Sequence, residues 1–147
     1  MPEFLNEDVR SEIRRADHML YVSLKYSRTC DVMRNIVKRL INTIELGTTN
    51  FLEDYKERGK VKEVPKLNFK RMELIENILK NKIKKYFKLY KTLKFIDKAK
   101  IECREEYRKN VTLIAIVDKK RIEVNYETLK RYFEETKDFI VFLNEYK

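Results

Sequence analysis

Apolar residues recur every three or four positions along most of this chain, the spacing of an amphipathic α-helix. Val9, Ile13, Ala16, Leu20 and Leu24 form the first stripe. They predict a helix capped by Asn6 or Asp8 and running to about Tyr26, after a loose start over Met1 to Leu5. Met19, Val22 and Tyr26 fall off that stripe, so this helix is expected to be covered on two sides. Ser27 to Thr29 interrupts the pattern. Met33, Val37, Leu40, Ile44, Thr48, Phe51 and Tyr55 then predict a second helix, capped by Ser27 or Thr29 and reaching about Arg58. Gly47 lies inside it at a cost of about 1 kcal/mol relative to alanine, so a close helix crossing or a bend is expected there.

Gly59 to Pro65 reads as a loop, because glycine ends helices and proline restricts the residue before it. Met72, Ile75, Leu79, Ile83, Tyr86, Tyr90 and Leu93 make a third stripe. The stretch Asn68 to Cys103 is read as one long or slightly broken helix capped by Asn68, with a break near Thr92 and a new segment from Leu93 to Arg108. From Asn110 to Val124 the pattern changes. Val111 to Val117 is mostly β-branched or apolar, Asp118 to Lys120 is a turn, and Arg121 to Val124 alternates, which predicts a β-hairpin. Asn125 caps a last helix, with Glu127 in its first turn and Leu129, Tyr132, Phe133, Thr136, Ile140 and Leu143 on its core face. The fold expected is mainly α, an up-and-down helical bundle of four to five helices with a short β-hairpin before the C-terminal helix, in a single domain over 1–147.

Composition narrows the class. At 147 residues, 43% hydrophobic and 39% charged, the chain is too apolar for disorder and too charged for a membrane protein. Its longest apolar runs, such as Leu113 to Val117, are far short of a membrane span. Pro2, Glu3, Asn6, Glu7 and Asp8 do not make a basic-then-apolar leader, and the expected home is the cytoplasm. Cys30 and Cys103 are expected to be reduced, small buried hydrophobes. With one histidine and no Cys-x-x-Cys pair, no structural zinc site is expected, and two glycines cannot build a phosphate-cradling loop, so no cofactor is assigned. Few glycines, no glutamine and abundant Lys, Glu and Ile hint at a thermophile.

The net charge of +10 is unevenly placed. Lys56 to Lys100 holds sixteen Lys or Arg against five Asp or Glu, a net of +11, leaving −1 for the rest. Lys80, Lys84, Lys88, Lys91, Lys94 and Lys98 follow one another at spacings of three and four and form one stripe on the third helix. Such a concentration is the footprint of a polyanion partner, or else a solvated helix face. Tyr86 and Tyr90 belong to the apolar stripe, which leaves Phe87 as the aromatic near the lysine edge. Binding through these lysines would be weak, through phosphates and indifferent to sequence.

Other polar groups are weaker candidates. Arg14, Asp17, His18 and Tyr21 occupy about two turns, where Asp17 can orient His18 or pair with Arg14. A general base is conceivable, with Arg14 or Arg28 holding phosphate, but a hydrogen-bonded structural histidine is the simpler reading. The acidic groups Glu102, Glu105, Glu106 and Glu134, Glu135, Asp138 sit among basic residues at helical spacing and are expected to form surface ion pairs.

The stretch Arg15, Ala16, Asp17, His18, Met19, Leu20, Tyr21, Val22, Ser23, followed by Thr29 and Asp31 opening a long helix, resembles the start of small archaeal HEPN-like helical-bundle proteins. Glu106 to Lys109 before a strand-like run, and Tyr126, Glu127, Leu129, Tyr132, Phe139 and Ile140 on the last helix, extend the resemblance. It implies a bundle of four or five helices, often paired as dimers, with RNA as a common theme. Many active HEPN proteins are metal-independent ribonucleases whose signature is an arginine, four to six residues, then a histidine on a late helix. Here the histidine is on the first helix, and Ser11, Glu12 and Ile13 stand where arginine would be needed, so no catalytic residue carries over.

The resulting expectation is a non-catalytic binding module, contacting RNA or DNA phosphates and forming a homodimer or docking a protein partner through Met19, Val22 and Tyr26. The alternative is a HEPN-type ribonuclease or toxin–antitoxin component centred on His18.

Overall fold

The computed structural model describes residues 6–146, so the expected loose start over Met1 to Leu5 lies outside the described residues. Four helical rods and a three-stranded sheet make up what is described. The first rod comprises α1 (Glu7–His18), a π-helical turn (Met19–Ser23) and α2 (Leu24–Ser27). The second is α3 (Cys30–Glu57), the third α4 (Asn68–Leu79) and α5 (Lys84–Lys98), and the fourth α6 (Tyr126–Glu145). The sheet is β1 (Lys100–Arg104), β2 (Thr112–Val117) and β3 (Lys120–Val124). The protein is mainly α with a small antiparallel sheet before the C-terminal helix. No helix among the described residues is long and apolar enough to cross a membrane.

The starts of α1, α3 and α6 match local signals. Asn6 Oδ1 accepts the Val9 N–H at 2.9 Å, and Thr29 Oγ1 accepts the Val32 N–H at 3.2 Å. Asn125 and Thr128 bond reciprocally in a capping box. The first rod ends where Arg28 turns left-handed at φ 49°. α3 is the central helix and packs on α1, α4, α5 and α6. Beyond the expected stripe it also buries Ile36, Ile41 and Leu52. Gly47 marks the α3–α6 crossing, since a Cβ there would collide with Ile140 Cδ1. This is the close approach its position predicted.

The third rod departs from expectation. It is not one helix to Cys103, and the break is not at Thr92. The chain bends at Lys80, whose φ of 54° and ψ of −127° end α4, and passes through a 3₁₀ turn (Lys80–Ile83). It bends back far enough for Phe69, in the first turn of α4, to touch Phe87, in the first turn of α5. Asn68 is the first helical residue, not the cap. Residues 100–104 form an edge strand, so the expected hairpin is part of a three-stranded sheet in the order β1-β2-β3. β1 pairs antiparallel with β2, setting Cys103 opposite Leu113. Leu113, Ala115 and Val124 turn the inner face of the sheet towards the bundle.

The cysteines also differ from expectation. Cys30 and Cys103 form a disulfide. Cys30 is buried, as expected, but Cys103 is exposed. The bond fixes β1 to the first residue of α3. Beside it, the Cys30 N–H donates to Glu106 Oε2 at 3.1 Å and the Tyr107 N–H donates to Arg28 O at 2.8 Å. Persistent disulfides belong to oxidising compartments or to intracellular proteins of hyperthermophiles. The expectation that both cysteines are reduced is corrected by this bond.

Candidate nucleic-acid interface

The lysines do not form one continuous ladder. Lys80 sits in the bend between α4 and α5 and leaves the stripe. Lys84, Lys88, Lys91, Lys94 and Lys98 belong to α5. Lys94 Nζ is 3.7 Å from Glu45 Oε2, and the same oxygen accepts the Tyr90 hydroxyl at 2.6 Å. Burial and this carboxylate raise the Tyr90 pKa. Lys94 is thus engaged with α3. Lys84, Lys88, Lys91 and Lys98 are exposed and have no carboxylate partner among the described residues.

Phe87 does lie beside the lysine edge, next to Lys91. It is buried, because the start of α4 covers it. The Phe69 ring lies edge-on to it at 6.1 Å between centroids, and Lys91 Nζ stands 4.4 Å from the Phe87 centroid. Phe69 is itself 52% exposed. Sequence reasoning missed it, because a wheel drawn for one helix does not show which residue of another helix caps its edge. Tyr86 and Tyr90 are buried, as their stripe required.

The first-helix candidates are only partly brought together. His18, Arg14, Arg15, Ser11, Met19 and Arg39 line a shallow depression of about 320 Å³. Arg14 pairs with Glu7 at 2.6 Å rather than with Asp17, and Glu12 holds both Arg15 and Arg39. Asp17 is outside this lining, and Tyr21 packs edge-on against Phe133 at 6.1 Å. His18 is exposed and has no hydrogen-bond partner among the described residues. Val22 and Tyr26 are not covered within the chain, with Tyr26 89% exposed.

The acidic groups behave differently from expectation. Glu102 is on β1 and Glu105 and Glu106 are in the following loop, so none is helical. Neither acidic group contributes a salt bridge among the described residues. Glu106 instead caps α3. The group with metal-ligand spacing among the described residues is Cys30, Cys103 and Glu106. Its two sulfurs are bonded to each other and offer no thiolate.

Against known proteins, no family model, curated protein or solved structure matches the chain significantly.

Proposed function

We propose that this protein is a non-catalytic helical-bundle binding module that contacts the phosphates of nucleic acid through α5. The observation that carries the reading is the set Lys84, Lys88, Lys91 and Lys98, exposed along one helix and unmatched by described carboxylates. Charge elsewhere is balanced, whereas Lys56 to Lys100 carries +11. The resemblance to HEPN-like bundles belongs to the same reading, which the four helical rods suit.

Binding through phosphates releases counterions, so affinity falls with salt. Four contacts to a single strand give a slope of about −3 in log K against log salt. Replacing Lys84, Lys88 and Lys91 by glutamate is expected to abolish a gel shift while the circular dichroism spectrum is unchanged. A salt-insensitive shift, or none with the unmodified protein, rejects the reading.

The ribonuclease alternative has less support, because the arginines around His18 are already paired. RNA cleavage by the wild type that is lost in His18→Ala would restore it. A homodimer through Val22 and Tyr26 is favoured by the exposure of both side chains. A monomer by light scattering rejects that part.

A further inference from the structure

The unpaired cations of α5 surround Phe87, the ring on which the exposed Phe69 packs. Phe69 stands in the first turn of α4 with about half its surface (52%) open, beside Leu67, which is 66% exposed. Its partner Phe87 has Lys84 three residues before it and Lys91 four residues after it, so both lysines lie within one helical turn. Lys88 is the next residue, and Lys66 precedes Phe69 by three. All four lysines are exposed.

The exposure of Phe69 does not come from a loosely held segment. Arg71 Nη1 donates to the carbonyls of Pro65 and Lys66, each at 2.8 Å, and Nη2 donates to Asn68 Oδ1. One guanidinium thereby fixes the approach to α4, and Phe87 supports the Phe69 ring from behind. A ring held in place this way loses little freedom when a ligand stacks on it.

An open ring packed on one that cations surround matches one polyanion better than others. Single-stranded nucleic acid offers unstacked bases to an aromatic face and phosphates to lysines. A duplex keeps its bases stacked inside and offers mainly phosphates. We propose that Phe69 is a base-stacking platform of a single-strand site whose phosphates are held by Lys84, Lys88 and Lys91. The inference rests on the function proposed above and adds the form of the ligand and a residue that touches bases.

The test uses the absence of tryptophan from this chain. Phe69→Trp introduces a single indole at the platform. Titration with oligothymidylate and oligouridylate is expected to quench its emission, and a duplex of equal length to leave it unchanged. Phe69→Ala is expected to weaken single-strand binding about tenfold, or about 1.4 kcal/mol, within the range for one base on one aromatic ring. Duplex binding should stay within about twofold, since it uses phosphates alone. Single-strand binding that survives Phe69→Ala unchanged, with no quenching, overturns the platform and leaves the lysine reading standing. No binding of any oligonucleotide by the wild type overturns both. Binding of polyglutamate without oligonucleotide binding replaces both with an acidic protein partner.

Discussion

The Tyr90 hydroxyl donates to Glu45 Oε2 at 2.6 Å, joining α5 to the central helix α3 at a half-buried carboxylate. Lys94 supports the same oxygen from one turn further along. Hydrogen bonds to a charged group contribute about 1.5–3 kcal/mol. Tyr90→Phe keeps the ring and removes the donor, and should cost about 1.5 kcal/mol in urea denaturation because Lys94 remains. No measurable loss would mean that the carboxylate is served equally well by water.

The same contact sets an alkaline limit. Burial, first, and then Glu45 raise the Tyr90 pKa above its ordinary value. The native state therefore holds this proton more tightly than the unfolded chain, whose tyrosines titrate near about 10. The contribution is complete below pH about 10 and is lost as pH rises towards the folded value. Urea midpoints should be steady at pH about 8 and fall above about 10. Tyr90→Phe should flatten part of that fall. Tyr21, Tyr55 and Tyr132 are raised by burial too and act in the same direction.

The Cys30–Cys103 bond spans 73 residues. Closing a loop of that length in the unfolded chain is worth about 4 kcal/mol in the chain-entropy account. Reduction should lower the melting temperature by about 10 °C. Cys103→Ser should lower it similarly and become insensitive to reductant. Equal melting with and without reductant would show that the thiols are not joined in solution.

Gly47 and Ile140 test the helix crossing. Any side chain at residue 47, alanine included, must displace the buried Ile140. Gly47→Leu should cost about 2 kcal/mol. Adding Ile140→Ala should recover part of that, giving a coupling of about 0.5 kcal/mol or more in a double-mutant cycle. Strict additivity would place the crossing elsewhere.

The helices legible from sequence were those whose stripe and caps agree. Met33 to Tyr55 and Leu129 to Leu143 are buried as their spacing required, and Thr29 and Asn125 cap where expected. The bend at Lys80 was invisible because Leu79, Ile83 and Tyr86 keep helical spacings of four and three across it. A lysine at positive φ leaves no compositional mark. β1 was hidden by its brevity. Only Ile101 and Cys103 alternate with Lys100, Glu102 and Arg104, and the same charges also fit helical spacing. The disulfide joins positions that only the tertiary fold brings together. The lysines of α5 were legible as a charged face, whereas Phe69 needed the fold, because its neighbour Phe87 lies on a different helix.

The disulfide also makes residues 30–103 a covalent ring that contains the exposed loop between α3 and α4. A single proteolytic cut near Gly59 or Lys60 would open that ring without parting the halves. Nicked protein should run as one band without reductant and as two with it. If the packed core then holds the halves together after reduction, α3 and the α4–α5 rod become separable pieces of one domain, each open to independent labelling.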